Sequence, residues 1–563
     1  MMERHSAHER HVAALDGRRL TGRPIRAALL AALLLLGCNV DSGDLTVTVV
    51  KSWEAVQDPF LAAKSIRVRV DGPGLLVGPA EFSRNDGRGI LSEVPVGANR
   101  RITVEGLGYE DNPVSRGRTG RLEIREGDNA IELFVGLIEE AGAFSSTSVK
   151  QLLVPRAFHS ATRLGDGSVL ICGGITTDWQ PENDKGSPPP TPTATMERID
   201  GNSLRVLVAS PATCKPGATG CMVSGRVGHS ATLLESGNVL VAGGSDGAQL
   251  VDRVEIFSPD DNRFVRAAEL NSPRLWHQAV PSADGALLVG GEATAGMALP
   301  GELFSGGEVE TKPALKQGRR AFTLTRLADE TLVVAGGIDQ TGRVLDTIEL
   351  LSPGSPTWTA AMVKMKAPRA HHSASLMQDG TIVFIGGLPS LDAPGNNSVE
   401  RFDPQNDVTR LLTANLGTQR WGHSATLLSD GRVLVVGGFS GNRLGGAPTA
   451  VVEQITFFDS GSVQIRKLAS LRHARAGHTA TMLDSGFLLV VGGFAACALL
   501  GSQCTLPADC CSLSCAGGKC SSGTCAIAGE TCTAPADCCS EKCESGSCGS
   551  LSRMVKTAEV FVY

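Results

Sequence analysis

Aromatic residues are scarce, 4% of 563 residues, and only two are tyrosines, Tyr109 and Tyr563. That scarcity disfavours a helical bundle, while 67 Gly and 28 Pro suit short strands joined by tight turns. Net charge is also small, formally -6, with both signs interspersed, and no RNA- or DNA-binding motif occurs. The chain therefore offers a phosphate backbone no electrostatic footprint, and no nucleic-acid partner is expected. A composition of 42% hydrophobic and 20% charged residues excludes wholesale disorder and collagen, and the length implies several domains.

Arg23 and Arg26 flank a ten-residue apolar run, 27–36, too short to span a bilayer and built like the core of a secretory signal. The run ends in Leu35-Leu36-Gly37-Cys38, which resembles the lipobox of bacterial lipoproteins. The alternative is an ordinary signal peptide with an incidental cysteine. The resemblance implies that Cys38 is lipidated and that residues 1–37 are removed. Residues 38–44 then form a tether, and the lipid anchor holds the protein to the membrane. Asn39 in place of Asp implies sorting to the outer membrane of the cell envelope, on its periplasmic face or at the cell surface.

Residues 45–140 carry alternating runs bounded by Gly, Pro and Asp, at 45–50, 65–70, 101–105, 122–125 and 130–135, and read as a small antiparallel β-sandwich. Val94-Pro95-Val96-Gly97 leading into Ile102-Thr103-Val104 resembles the carboxypeptidase-regulatory or transthyretin-like type. The role expected of this domain is spacing and support.

From Arg156 onward one pattern recurs: Arg, two residues, His, a hydroxyl residue, an apolar stretch, a turn, and an apolar run ending in Gly-Gly. The arginines are Arg156, Arg226, Arg274, Arg319, Arg369, Arg420 and Arg475. The glycine pairs are Gly173-Gly174, Gly243-Gly244, Gly290-Gly291, Gly336-Gly337, Gly386-Gly387, Gly437-Gly438 and Gly492-Gly493. The offset from Arg to the first Gly is 17 in six repeats and 16 in the third. Each unit reads as two antiparallel strands joined by a short turn, with a third strand such as Val254-Glu255-Ile256-Phe257 after them. These residues resemble kelch repeats, which implies a fourth, outer strand and one propeller blade per repeat. The resemblance covers residues 146–563 and implies an all-β, seven-bladed kelch β-propeller.

The last blade is one strand short. With the block 497–548 set aside, 37 residues remain from Arg475 to the end, against 45 to 55 in repeats two to six. The missing strand is expected at 147–154, so that the chain ends meet in one blade and remove an exposed edge. Six histidines, His159, His229, His277, His372, His423 and His478, occupy the fourth position of the signature, and Phe322 replaces the seventh. Such a set could line a channel and hold a metal or an anion. A residue repeated once per blade is more simply a packing and hydrogen-bonding position between blades. Gly-Gly reads as structural too, since close approach and unusual backbone angles need no Cβ.

Twelve of the 16 cysteines fall within 497–548, in two identical frameworks: Cys497, Cys504, Cys510, Cys511, Cys515, Cys520, and Cys525, Cys532, Cys538, Cys539, Cys543, Cys548. Units of under 30 residues bury little core and must be stapled. A zinc cluster is the rival reading, but the block lacks His and follows an export signal, which favours disulfides. Spacing alone does not choose a pairing. The frameworks resemble inhibitor cystine-knot peptides, which implies Cys497 with Cys511, Cys504 with Cys515, Cys510 with Cys520, and the equivalent pairs in the second unit. Cys214 and Cys221 close a short loop, and Cys172 in an apolar strand reads as buried and free.

In a blade of antiparallel strands a to d, the b-to-c loops and the d-to-a crossings emerge on one face. The block 497–548, the proline-rich stretch 175–195 and the crossing 210–225 should therefore share a rim. Long insertions on one face of a rigid scaffold are where binding is placed; neutral decoration is the alternative. The reading is a non-enzymatic envelope scaffold that recognises protein or glycan through this rim and needs no cofactor. The alternatives are a carbohydrate-active enzyme in the channel, or display of the cystine-knot pair as an inhibitor or toxin. Some kelch propellers are copper radical oxidases, whose site needs Tyr ligands and a Tyr–Cys cross-link. Tyr109 and Tyr563, one in the first domain and one at the extreme C-terminus, argue against that chemistry. No His-Glu-x-x-His zinc motif is present either.

Overall fold

The computed structural model describes residues 42–50, 58–72, 81–83, 87–137, 143–146, 152–176, 192–210, 214, 218–283, 285–294, 296–442, 446–458, 461–496 and 558–562. It also describes the short strands 515–516, 519–520, 543–544, 547–548 and 552–554. Among these residues the only helix is a single 3-10 turn, Tyr109–Asp111. The chain is all-β, and from residue 143 onward its main sheets are seven four-stranded antiparallel blades.

Blade one shows the plan. Ser160–Arg163 pairs with Val169–Cys172, which pairs with Met196–Ile199, which pairs with Val206–Ala209. The second strand is apolar at every position and fully buried, as in Val239–Ala242, Ile382–Ile385 and Val433–Val436. Neighbouring blades cover both of its faces, so the alternation of a half-exposed strand is lost there. Tight turns join the first and second strands; Gly431, at φ +85°, sits in the turn of blade six with nothing near a Cβ.

Blade seven closes the ring from both ends of the chain, in the order Ala143–Ser146, Ala558–Val562, Leu488–Val491, Thr479–Met482. The closing strand thus lies before the expected 147–154 and starts outside the expected boundary at 146. Residues 147–151 lie outside the described residues. Leu153 and Val154 serve instead as the approach to blade one, donating their N–H groups to Glu197 over 3.0 and 3.5 Å. Asn271 and Ser272 make the same approach to blade three, which is why the strand must end earlier.

The first domain comprises two sheets. One orders Glu81–Ser83, Arg88–Pro95, Ser42–Val50 and Gly127–Phe134; the other is built on Ser65–Asp71, Gly97–Leu107 and Pro113–Arg118. Leu45, Val47, Leu91, Ile102, Val104 and Leu133 fill the space between them. Its first strand begins at Ser42, inside the stretch read as tether. The expectation of a purely antiparallel sandwich fails at one pairing, because Ser42–Val50 and Gly127–Phe134 run parallel. Most of the domain lies between those strands in sequence, which is the long crossover that parallel pairing requires.

This domain sits on the turn-bearing face of blades one and seven. Phe134 is buried in one cluster with Ile199, Leu204 and Leu483. Its N–H donates to Asn202 O over 2.9 Å, and Gly120 N–H donates to Asn202 Oδ1 over 2.8 Å. Arg205 pairs with Glu132 at 3.0 Å, and Arg101 Nη2 donates to Asp484 O over 3.2 Å.

Candidate functional site

The signature arginines are wholly buried, and each pairs with a glutamate on the third strand of its own blade. The pairs are Arg156–Glu197 at 3.1 Å, Arg274–Glu302 at 2.6 Å, Arg319–Glu349 at 2.5 Å, Arg369–Glu400 at 3.3 Å, and Arg226–Glu255, Arg420–Glu453 and Arg475–Glu559. Each arginine also donates to the carbonyl of the first glycine of its Gly-Gly pair, over 2.8 to 3.1 Å. Each glutamate in turn accepts backbone N–H groups from the crossing that enters the blade, as Glu349 does from Lys316 and Gln317. One ion pair thus ties three segments at the blade's crossing end. In blade seven burial alone would raise the Glu559 carboxyl, but Arg475, His473 and the Arg472 N–H outweigh it and hold it at about 2. The insertion therefore springs from a base closed by Arg475 and Glu559.

The histidines join blade to blade. Nε2 of His159, His229, His277, His372, His423 and His478 lies 2.8 to 3.1 Å from the hydroxyl of Thr479, Ser160, Ser230, Thr323, Ser373 and Ser424 respectively, always on the preceding blade. Each ring also lies where a glycine of that blade leaves room: a Cβ on Gly437 would meet His478 Cε1 at 2.8 Å. At the one seam without histidine, Phe322 packs on Gly290 and the preceding blade carries Gln278 in place of the hydroxyl residue. Burial, reinforced by the arginine of the same blade, pulls His229, His277, His372 and His478 down to about 3, and His159 and His423 well below the usual range. The six rings are neutral at pH 7.

Immediately before this ring of histidines, every blade has one residue with positive φ: Phe158, Gly228, Trp276, Ala321, His371, Gly422 and Gly477, between +51° and +66°. In five of the seven blades the turn aims this N–H at the preceding blade. Phe158 donates to Gly477 O, Gly477 to Gly422 O, Gly422 to His371 O, His371 to Ala321 O and Trp276 to Gly228 O, over 2.8 to 3.2 Å. Glycine adopts this conformation freely, whereas each non-glycine residue costs about 1 to 2 kcal/mol. Phe158, Trp276 and His371 nevertheless occupy it and line a cavity of about 310 Å³ at the mouth of the channel, half-buried.

The mouth is asymmetric. On the side of blades five, six, seven and one, Leu388, Trp421, Phe439, Phe494 and Ile175 form a buried apolar cluster, with Phe439 stacked on Trp421 at 4.5 Å and Phe158 edge-on to Phe494 and Trp276, both at 5.5 Å. Blades two and three present Ser245 and Glu292 at the matching position, and Glu292 pairs with Arg320 at 3.0 Å. Phe494–Ala496, the root of the cysteine-rich insertion, pairs with Ser552–Met554 on the apolar side.

Of the remaining expected site residues, Cys214 and Cys221 are disulfide-bonded and Cys172 is a buried free thiol. In the insertion the two frameworks repeat one backbone feature, a hairpin pairing Cys515 with Cys520 and, equivalently, Cys543 with Cys548. Cys38, Cys497, Cys504, Cys510, Cys511, Cys525, Cys532, Cys538, Cys539 and the stretch 177–191 lie outside the described residues. The described residues hold no cluster of three or more metal-ligating side chains. The sequence reading missed the seven glutamates, although an apolar residue followed by Glu recurs in the third strand of six blades, as in Val399-Glu400, and Gly301-Glu302 stands in the other. It also missed the left-handed position before the histidine, where Phe, Gly, Trp, Ala and His share no chemistry that a sequence could flag.

Seven closed four-stranded blades define a seven-bladed β-propeller. The repeated Arg-x-x-His and Gly-Gly positions and the chain's relatives make it one of the kelch type. Adagio-like protein 3 of Oryza sativa subsp. japonica is 27% identical over 333 residues, covering 54% of this chain and 50% of the relative. Kelch-like protein 34 of Homo sapiens is 24% identical over 263 residues, covering 43% and 38%. Adagio protein 3 of Arabidopsis thaliana is 24% identical over 248 residues, covering 39% and 40%. The chain spans half or less of the length of these curated relatives. No protein-family model matches it. A solved structure described as a novel fungal alcohol oxidase of the AA5 family in complex with copper aligns with a TM-score of 0.46 and 14% identity, over 64% of this chain and 73% of that one.

Proposed function

We propose that this protein is a lipid-anchored, non-enzymatic scaffold of the cell envelope, held at the outer membrane through Cys38, whose propeller binds a protein or glycan partner on the elaborated face. One observation carries the reading. In blade one, Ser160, Cys172, Met196 and Ala209 lie at the same end of the ladder, so the loops after Gly-Gly, the crossings and the channel mouth share a face. The cysteine-rich insertion, the Cys214–Cys221 crossing and the proline-rich loop all leave from that face, while the first domain covers part of the opposite one. The kelch-like relatives support a propeller scaffold. In this reading the tandem cystine-knot units supply adaptable recognition and the ring supplies rigidity.

The test is capture of envelope proteins and glycans by residues 39–563, beside a form in which 497–548 is replaced by a short Gly-Ser link and which melts at the same temperature. Loss of a partner from the replaced form supports the reading; an unchanged partner set refutes a role for the insertion. Labelled palmitate should enter the full chain and not its Cys38→Ala variant.

A further inference from the structure

Where the first domain meets the propeller, five segments enclose a cavity of about 260 Å³. The first domain contributes Arg101, from the strand Gly97–Leu107, and the stretch 120–122; blade one contributes the turn 165–167 and Gly201-Asn202, and blade seven contributes Asp484. The segments approach closely because glycines line them: a Cβ on Gly201 would collide with Gly167 O, and one on Gly120 would meet Asp484 Cβ at 2.9 Å. The cavity lies on the turn-bearing face, away from the root of the cysteine-rich insertion.

Two arginines stand side by side in its wall. Leu122 pairs with Arg100, and Thr119 N–H donates to Ile102 O over 2.9 Å, so the intervening Arg121 runs alongside Arg101. Like charges set opposite each other on neighbouring strands are destabilising, and a shared anion removes that cost. No described carboxylate does so. Arg101 Nη2 donates to the Asp484 carbonyl over 3.2 Å, Arg121 Nη1 donates to Asn99 Oδ1 over 3.4 Å, and Arg101 Nε is buried without an acceptor among the described residues. The two carboxylates of the wall are engaged elsewhere, Asp484 by Arg163 at 2.5 Å and Asp166 by Arg198. On the propeller side Asn202 Oδ1 accepts from Gly120 N–H over 2.8 Å, which leaves the NH2 group of Asn202 as a further donor in the wall. Arg101 is half-buried and Arg121 exposed, so an ion reaches them from solvent.

We propose that this junction cavity binds a small oxyanion, its carboxylate or phosphate group held between Arg101 and Arg121 through paired N–H donors, and that the bound ion clamps the first domain to blade one through Asn202. A space of about 260 Å³ lies below the usual range for drug-sized ligands, which sets the class at single anions and short diacids. An ion that touches both parts stabilises their contact by mass action, so the rigidity of the junction follows the concentration of the ligand. The site stands apart from the proposed partner-binding face and does not depend on it.

The experiment is calorimetric titration of residues 39–563 with inorganic phosphate and, separately, with succinate, each to about 10 mM at constant ionic strength, with chloride as the control anion. Saturable binding of at least one oxyanion at one site per chain is expected. Phosphate alone or succinate alone identifies the source of the group, and mutual competition identifies oxyanion chemistry common to both. Arg121→Gln, which gives up only the long bond to Asn99, should weaken binding at least tenfold, and Arg121→Glu should abolish it, both at an unchanged melting temperature of the protein without ligand. Hydrogen exchange of the Gly120 N–H, which bonds Asn202, should slow at least threefold at saturation. The proposal is overturned by the absence of saturable binding, by an equal response to chloride, by binding that Arg121→Gln leaves unchanged, or by binding that does not slow exchange at Gly120.

Discussion

Acidification from pH 7 to pH 5 should destabilise the propeller severely, and the size of the effect follows from the six seam histidines. Four have pKa values of about 3 in the folded chain and the other two are well below the usual range. In the unfolded chain each returns to about 6.5. Between those values the unfolded state binds more protons, so stability rises with pH: the contribution is complete above about 6.5 and is lost as pH falls toward 3. Integrating from pH 7 to pH 5 gives about 1.9 kcal/mol for each histidine held at about 3 and about 8 kcal/mol for those four, with His159 and His423 acting in the same direction; this is comparable to the whole stability of many domains. Glu559 at about 2 does not titrate in this interval. Urea unfolding at pH 7, 6 and 5, followed by the fluorescence of buried Trp358 and Trp421, measures it. His423→Gln should lower the proton uptake on unfolding at pH 5.5 by nearly one. A free energy that changes by less than about 3 kcal/mol over the interval would refute the neutral, buried state of these rings.

Arg420→Met should cost about 3 to 5 kcal/mol by urea denaturation, because it leaves Glu453 buried and unpaired. Adding Glu453→Leu should restore only part of this, since the Gly417 N–H and the Gly437 carbonyl also lose their partners. Phe322→His and Gln278→Ser should each destabilise alone, and together show a favourable coupling of about 1 kcal/mol in a double-mutant cycle, because only the pair rebuilds the missing seam bond. Ending the chain after residue 556 removes Ala558–Val562, which pairs on both sides and carries Glu559; rapid proteolysis of the whole propeller is expected, and a protease-resistant product would contradict closure through that strand.

The propeller was legible because its constraints repeat. Arg-x-x-His and Gly-Gly recur at fixed offsets since each arginine must reach the glycine carbonyl of its own blade and each glycine must admit the ring of the next. The partner glutamates were harder to connect: Glu349 follows Arg319 by 30 residues and Glu559 follows Arg475 by 84, so loop length hides a constant geometry. The closing strand was misplaced by a few residues because 147–154 has the right composition, while the need of Glu197 for two N–H donors from 153 and 154 is visible only in three dimensions. The parallel pairing in the first domain and the cavity at its junction with the propeller left no local signal, since both depend on which segments become neighbours.

Symmetry also separates what holds the ring from what can recognise a partner. The arginine, glutamate and glycine positions are the same in all seven blades, and the histidine in six, so they cannot distinguish one blade from another. The positions that differ are the residue before the histidine, which lines the channel mouth, and the residue after Gly-Gly, which in five blades is a buried apolar side chain. Where the backbone demands left-handed φ, three blades use glycine and one uses alanine, while Phe158, Trp276 and His371 accept the conformational cost to place a ring at the opening. Part of that cost is offset by packing, since Phe158 meets Phe494 and Trp276. The remainder falls on half-buried rings, one of which, Phe158, touches Phe494 at the root of the cysteine-rich insertion. On the proposed function, a partner engaged by the cysteine-rich insertion would therefore lie next to the mouth.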